Sequence, residues 1–136
     1  MGKPKSKKKI MVIDDDRPSC YILRRELTGN GYDVKAVYGA QGCLKKLSKY
    51  MPDLVLLGRD IPESYDYEIL RGIRSSSDRL LKTIPVILTS PTATKEDVWS
   101  TIQNGADDYL LKPFETPRLL KKIEKLLSPK HNKPLV

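Results

Sequence analysis

Ile10-Met11-Val12-Ile13-Asp14-Asp15-Asp16 is the stretch from which the architecture follows. Four consecutive apolar residues, two of them isoleucine and one valine, fit a short strand covered on both faces. Three carboxylates end it abruptly. A strand buried on both sides needs helices above and below its sheet, so the rest of the chain should alternate strand with helix.

It does. Pro18 sits where the first turn of a helix tolerates proline, and Ile22, Leu23 and Leu27 keep helical spacing up to Gly29. Asp33 to Tyr38 reads as a second strand. Leu44 and Leu47 mark a helix that Pro52 stops, and Leu54-Val55-Leu56-Leu57 is a third buried strand. Ile69, Leu70 and Ile73 mark the third helix. Pro85 introduces the strand Val86-Ile87-Leu88-Thr89, and Val98, Trp99 and Ile102 line a fourth helix ending at Gly105. Tyr109-Leu110-Leu111 is a short fifth strand. Leu119, Leu120, Ile123, Leu126 and Leu127 stripe the fifth helix, closed by Ser128-Pro129. Five strands alternating with five helices require crossover connections and a parallel sheet. The pattern shows neither a repeat nor a second domain. The expected layout is a basic tail over 1–8, one domain over 9–128 and a C-terminal tail over 129–136.

Composition sets outer bounds. The chain is 39% hydrophobic and 31% charged, ordinary for a globular protein. No apolar run approaches the ~20 residues that span a bilayer, and the basic N-terminus lacks a secretory apolar stretch. The cytoplasm is the expected location, with no membrane partner. The net charge of +8 is concentrated at the ends: Lys3, Lys5, Lys7, Lys8, Lys9, Lys130 and Lys133 removed, 18 basic residues face 17 acidic ones. Lysines interleaved with Gly, Pro and Ser cannot bury a core, and the N-terminal run reads as a disordered arm. A weak contact with nucleic acid or an anionic surface is the alternative for that arm. Cys20 and Cys43 lie in helical patterns without CxxC spacing and read as isolated thiols. His131, the one histidine, falls in the tail, which argues against histidine-kinase or phosphotransfer chemistry.

Open parallel sheets bind ligands beyond the carboxyl ends of their strands. Asp14 and Asp15 stand at such an end, and adjacent carboxylates repel unless a cation lies between them, which points to a divalent metal. Asp16 is placed to cap the first helix. Ser90 offers a hydroxyl after strand four. Lys112 follows strand five, where it would neutralise the aspartates or hold a phosphate as a point charge.

These stretches resemble the receiver domains of two-component response regulators, the CheY-like superfamily, from about Lys9 to Leu127. The resemblance rests on Ile10 to Asp15, Pro52-Asp53-Leu54-Val55-Leu56-Leu57, Ile84-Pro85-Val86-Ile87-Leu88-Thr89-Ser90, and Gly105-Ala106-Asp107-Asp108-Tyr109-Leu110-Leu111-Lys112-Pro113-Phe114. It implies a doubly wound (βα)5, flavodoxin-like fold with strand order 2-1-3-4-5. It also implies that the acidic pair helps bind Mg²⁺ and that a strand-three aspartate accepts a phosphoryl group from a histidine kinase. Ser90 and Lys112 would contact the phosphoryl oxygens, and Tyr109 would move inward on activation.

One position departs from the pattern. After Leu57 the family has an aspartate, two variable residues, an apolar residue and proline; this chain has Gly58-Arg59-Asp60-Ile61-Pro62. Gly58 stands where the nucleophile belongs, so no carboxylate there can attack phosphorus or ligate a metal. Mg²⁺ binding is expected to be weak, and Lys112 is free to pair with Asp14 and Asp15 in a self-satisfied network. Asp60 is the alternative ligand or acceptor. Arg59 either takes a metal's place electrostatically or points to solvent. Glu63-Ser64-Tyr65-Asp66-Tyr67 replaces a Gly-x-Asp-Gly turn and should change that loop, while Pro91 stiffens the loop after strand four.

The leading expectation is a stand-alone, non-enzymatic pseudo-receiver that acts in phosphorelay signalling by protein interaction, independently of phosphorylation. The surface joining the fourth helix, fifth strand and fifth helix would meet a histidine kinase or downstream target. It would include Tyr109, Lys121, Lys122 and Lys125, with Val98 or Trp99 as an exposed anchor. The alternatives are a receiver phosphorylated on Asp60 with Asp14, Asp15 and Mg²⁺, and a nucleic-acid-associated protein working through its tails.

Overall fold

The computed structural model describes residues 6–64 and 67–129. The expectations for the lysines at positions 3, 5, 130 and 133, for His131, and for Tyr65 and Asp66 lie outside these residues. The elements run β1 (Lys9–Ile13), α1 (Arg17–Gly29), β2 (Asp33–Val37), α2 (Cys43–Tyr50), β3 (Leu54–Gly58), α3 (Glu68–Arg74), α4 (Arg79–Lys82), β4 (Val86–Ser90), α5 (Lys95–Gln103), β5 (Asp108–Leu111) and α6 (Thr116–Leu127). The strands form one parallel sheet in the order β2-β1-β3-β4-β5. This is the flavodoxin-like order expected. The single turn α4 is additional, so the expected fourth and fifth helices are α5 and α6.

Period-two alternation along buried strands creates two cores from one sheet. Met11, Ile13, Val55, Leu57, Val86, Leu88 and Tyr109 face α2 and α3, meeting Leu47, Leu70 and Ile73. Ile10, Val12, Leu54, Leu56, Ile87 and Leu110 face α1 and α6, meeting Leu23, Leu27, Leu119 and Ile123. Lys9, grouped with the basic tail on composition, is the first residue of β1. Its ammonium lies 4.7 Å from the Tyr50 ring centroid and donates to the Tyr50 carbonyl at 2.6 Å. No helix among the described residues is long and apolar enough to cross a membrane.

Caps fix where the helices begin. Asp16 accepts from the backbone N–H of Ser19 at 3.2 Å and Pro18 lies in the first turn of α1. Thr94 accepts from the N–H of Asp97 at 3.0 Å to start α5. The helical stripes needed correction in three places. Ile22 and Leu44 are substantially exposed, and on α5 both Val98 and Trp99, of which one was the expected exposed anchor, face outward together with Ile102. α5 instead buries Thr101, whose hydroxyl is satisfied by the Tyr67 hydroxyl at 3.4 Å. A small polar residue with a partner fits that contact; the apolar spacing around it is misleading.

At the amino end of the sheet two aspartates serve the backbone. Asp53 accepts from the N–H of Lys9 at 2.7 Å, and Asp107 accepts from the N–H of Val86 at 2.8 Å. Gly105 turns the chain after α5 at φ +107°, a conformation that suits glycine. Arg74 ties these parts together, donating to the carbonyls of Gly105 (2.7 Å), Lys82 (3.0 Å) and Ile84 (2.6 Å) and pairing with Asp107 at 2.9 Å. Arg74→Ala removes the side-chain donor from three backbone carbonyls and is expected to cost about 2–4 kcal/mol in chemical denaturation, with Arg74→Lys recovering only part of it.

Candidate functional site

Sheet register brings the strand ends together. Ile13 pairs with Leu57, which sets Asp14 level with Gly58; Gly58 pairs with Thr89, and Ser90 pairs with Leu111, one residue before Lys112. Asp14, Gly58, Ser90 and Lys112 therefore meet at the carboxyl edge, as their places in the sequence require. Asp15 and Asp60 are exposed there.

Asp14 is the centre of the arrangement. It is 4% exposed, and its Oδ2 accepts from Lys112 Nζ at 2.5 Å. Its Oδ1 accepts from the backbone N–H of Asp16 at 3.2 Å. Lys112 also lies 3.8 Å from Asp16 Oδ2. The self-satisfied network expected of Lys112 thus forms with Asp14 and Asp16, not with Asp15, whose side chain turns outward. Asp16 can take part because its capping role already aims it back over the end of β1.

Gly58 makes this arrangement possible. A β-carbon built there would lie 2.6 Å from Asp14 Cγ and 2.7 and 2.8 Å from its two oxygens. No real Cβ tolerates such contacts. The Asp14 carboxylate fills the volume that any other residue at position 58 would claim.

The residues present do not fit a divalent cation in this arrangement. Both oxygens of Asp14 are engaged, one of them by an ammonium group, and Mg²⁺ needs several free oxygen ligands in octahedral geometry. Among the described residues, no three acidic, histidine or cysteine side chains converge on a common point. Cys20 lies behind Asp14, donating to its carbonyl at 3.8 Å. Burial, with the negative charge of Asp14 added, pushes that thiol up to about 11. Cys43 is likewise buried, and neither forms a disulfide.

Arg59 neither replaces a metal beside Asp14 nor points to solvent. It pairs with Asp97 in the first turn of α5 at 2.8 Å and reaches Thr92 Oγ1 at 3.5 Å. Its guanidinium stands 5.9 Å from the Tyr67 ring centroid. Ser90 is fully buried, and its Oγ accepts from the N–H of Thr92 at 3.2 Å. Tyr109 is 9% exposed and its hydroxyl donates to the Thr92 carbonyl. Tyr109 is therefore an inward residue rather than part of the outer face. Lys122, placed on that face by its helical position, is bound to Asp108 at 2.9 and 3.0 Å. Lys121, Lys125, Val98, Trp99, Ile102 and Leu111 are exposed. The network of Arg59, Thr92 and Asp97 escaped sequence reasoning, because nothing in spacing couples position 59 to position 97.

In the loop after β3, Glu63 and Tyr67 adopt φ of +68° and +59°. The chain thus uses left-handed backbone at residues that are not glycine, at a cost of roughly 1–2 kcal/mol each.

A family model described as response regulator receiver domain matches residues 10–124. The chain is similar to a two-component response regulator from Clostridium difficile at 23% identity, covering 93% of this chain and 100% of that one, with a TM-score of 0.83. The signal receiver domain of a signal transduction histidine kinase from Syntrophus aciditrophicus is 28% identical, with coverage of 95% and 96% and a TM-score of 0.80. A CheY-like receiver domain protein from Methanospirillum hungatei is 27% identical, with coverage of 90% and 94% and a TM-score of 0.80.

Gly58→Ala should lower stability by about 1–3 kcal/mol in urea denaturation, because the new methyl displaces the Asp14 carboxylate. In an Asp14→Ala background the same change should cost little, giving strong coupling between the two sites. Asp16 is held below its ordinary 3.8, first by the Ser19 hydroxyl and backbone bonds and then by Lys112. A depressed carboxyl contributes stability above its unfolded value and loses it as pH falls through the folded one. Asp16→Ala should therefore cost about 1 kcal/mol at pH 7, and the difference from wild type should shrink below pH 3.8.

Proposed function

Because the chain belongs to the response-regulator receiver family, we propose that it is a receiver module of two-component signalling that works without taking up a phosphoryl group. Position 58 is where the family pattern calls for the accepting aspartate, with Ile61-Pro62 holding the register from behind. Phosphoryl transfer to a receiver needs a carboxylate nucleophile within reach of the donor, and a cation to offset charge on the transferring group. Glycine supplies no nucleophile. The observation that carries the reading is the Asp14–Lys112 pair closed at 2.5 Å over Gly58, which occupies both the metal-binding carboxylate and the phosphate-binding lysine. Mg²⁺ binding, weak on this reading, would first have to part that pair. Asp60 is exposed and supplies no replacement within the closed group.

What remains is a surface. α5, β5 and α6 present Val98, Trp99, Ile102 and Leu111 to solvent, flanked by the exposed Lys121 and Lys125. Trp99 is 66% exposed, unusual for a side chain whose burial is worth so much, and Trp is enriched where interfaces concentrate their energy. The face suits a signalling protein, a histidine kinase or a downstream target, that offers an apolar groove with an acidic rim.

Incubation with acetyl phosphate and Mg²⁺, followed by intact-mass measurement, should leave the protein unmodified. A stoichiometric phosphoryl adduct on any residue of the cleft, Asp60 included, would overturn the reading.

A further inference from the structure

We propose that Arg59 is an internal clamp that holds the β4–α5 connection and the start of α5 in a single position. The clamp deepens the phosphorylation-independent reading, on which its biological meaning rests: a fixed positive charge of the chain itself sets the geometry of the interaction face.

The connection from Pro91 to Thr94 is exposed throughout. Its two apolar side chains, Pro91 and Ala93, are both exposed, and proline offers no N–H. α5 itself is shallowly seated, since Thr101 is its one buried residue. Segments with so little buried apolar area open readily unless polar contacts hold them.

Those contacts converge on Thr92. Its N–H donates to Ser90 Oγ at 3.2 Å, its hydroxyl donates to Asp97 Oδ2 at 3.2 Å, and its carbonyl accepts from the Tyr109 hydroxyl. Arg59 closes the ring from the other side, 2.8 Å from Asp97 Oδ1 and 3.5 Å from Thr92 Oγ1. Its backbone N–H donates to the Thr89 carbonyl at 2.8 Å, so the guanidinium projects from a rigid extension of β3. A second link runs beside the first: the guanidinium stands over the Tyr67 ring, and the Tyr67 hydroxyl accepts from Thr101 on α5.

Exposed ion pairs contribute little as a rule. Here the two side chains are 29% and 18% exposed and belong to a connected network, where bonds reinforce one another. Asp97 agrees with this picture. Its desolvation works to raise the carboxyl, yet Thr94, Arg59 and Thr92 together hold it below its ordinary range. With the clamp closed, Tyr109 stays inward and the outward turn of Val98, Trp99 and Ile102 is fixed.

Amide hydrogen exchange on the full chain tests this without any phosphodonor. Arg59→Met keeps an apolar stem over Tyr67 and removes the charge; Asp97→Asn keeps the first-turn geometry and removes the opposite one. Each should accelerate exchange over residues 92–99 by about tenfold or more while β1 and β3 stay at wild-type rates, and the double variant should add little. In the wild-type protein, 1 M salt should raise exchange in the same segment, since screening weakens a part-exposed pair. Unchanged exchange in Arg59→Met, or acceleration spread evenly through the sheet, would overturn the clamp. A variant that loosens α5 yet remains unphosphorylated upholds both readings. A phosphorylated protein whose α5 is indifferent to Arg59 refutes both, and the mixed results separate them.

Discussion

The ion pair between Asp14 and Lys112 is the interaction on which the rest of this molecule's special character depends. It joins the end of β1 to the end of β5, across β3 and β4, and links residues 98 positions apart in sequence. Burying a carboxylate and an ammonium is costly, and their mutual attraction offsets that cost only when the remaining polar atoms are also satisfied. Asp14 meets that condition through the N–H of Asp16, and Lys112 through its second contact with Asp16. Space for the carboxylate comes from Gly58 alone, since a side chain at that position would collide with it.

Gly58 is therefore more than a deletion. A missing side chain in a polar cleft could leave a void or a water-filled gap; here the neighbouring acid leans into the volume and draws the lysine with it. Two charges that would otherwise wait for external partners neutralise each other. The next residue, Arg59, carries its charge away from the cleft to Asp97, so the two sides of position 58 perform separate tasks. Asp14 and Lys112 close the end of the sheet, and Arg59 and Asp97 attach the helix beside it.

Much of the fold was legible because buried parallel strands leave a plain mark. Ile10 to Ile13, Leu54 to Leu57 and Val86 to Leu88 are continuous apolar runs, and continuous runs bounded in this way have few other uses. Helix faces were less legible. Val98, Trp99 and Ile102 have the spacing of a core stripe yet face solvent, because periodicity reports a common face and not which way it turns. The gathering of Asp14, Gly58, Ser90 and Lys112 followed from strand order. Arg59 and Arg74 could not be assigned, because a long charged side chain selects its partners through tertiary placement. α4 was missed for a related reason: one turn of Arg79–Lys82 is too short to display a period.

The two ends of the sheet explain how a receiver fold can persist around such a cleft. At the amino end, Asp53 and Asp107 bond backbone N–H groups of β1 and β4, and Gly105 supplies a turn with φ of +107°. These familiar positions are held by geometry that any activity, or none, would require. Lys112 belongs with them in one respect. Remove it, and a charged Asp14 is left buried with its main partner gone, a defect of about 3–5 kcal/mol and comparable with much of a small domain's net stability. A lysine at the end of β5 is thus accounted for by the acid it neutralises. Its presence is no evidence for phosphate chemistry, and neither is the Ser90 hydroxyl, which accepts from Thr92 within its own loop. In this structure Asp14 and Lys112 hold their places as counter-charges to each other, and Ser90 holds the N–H of Thr92.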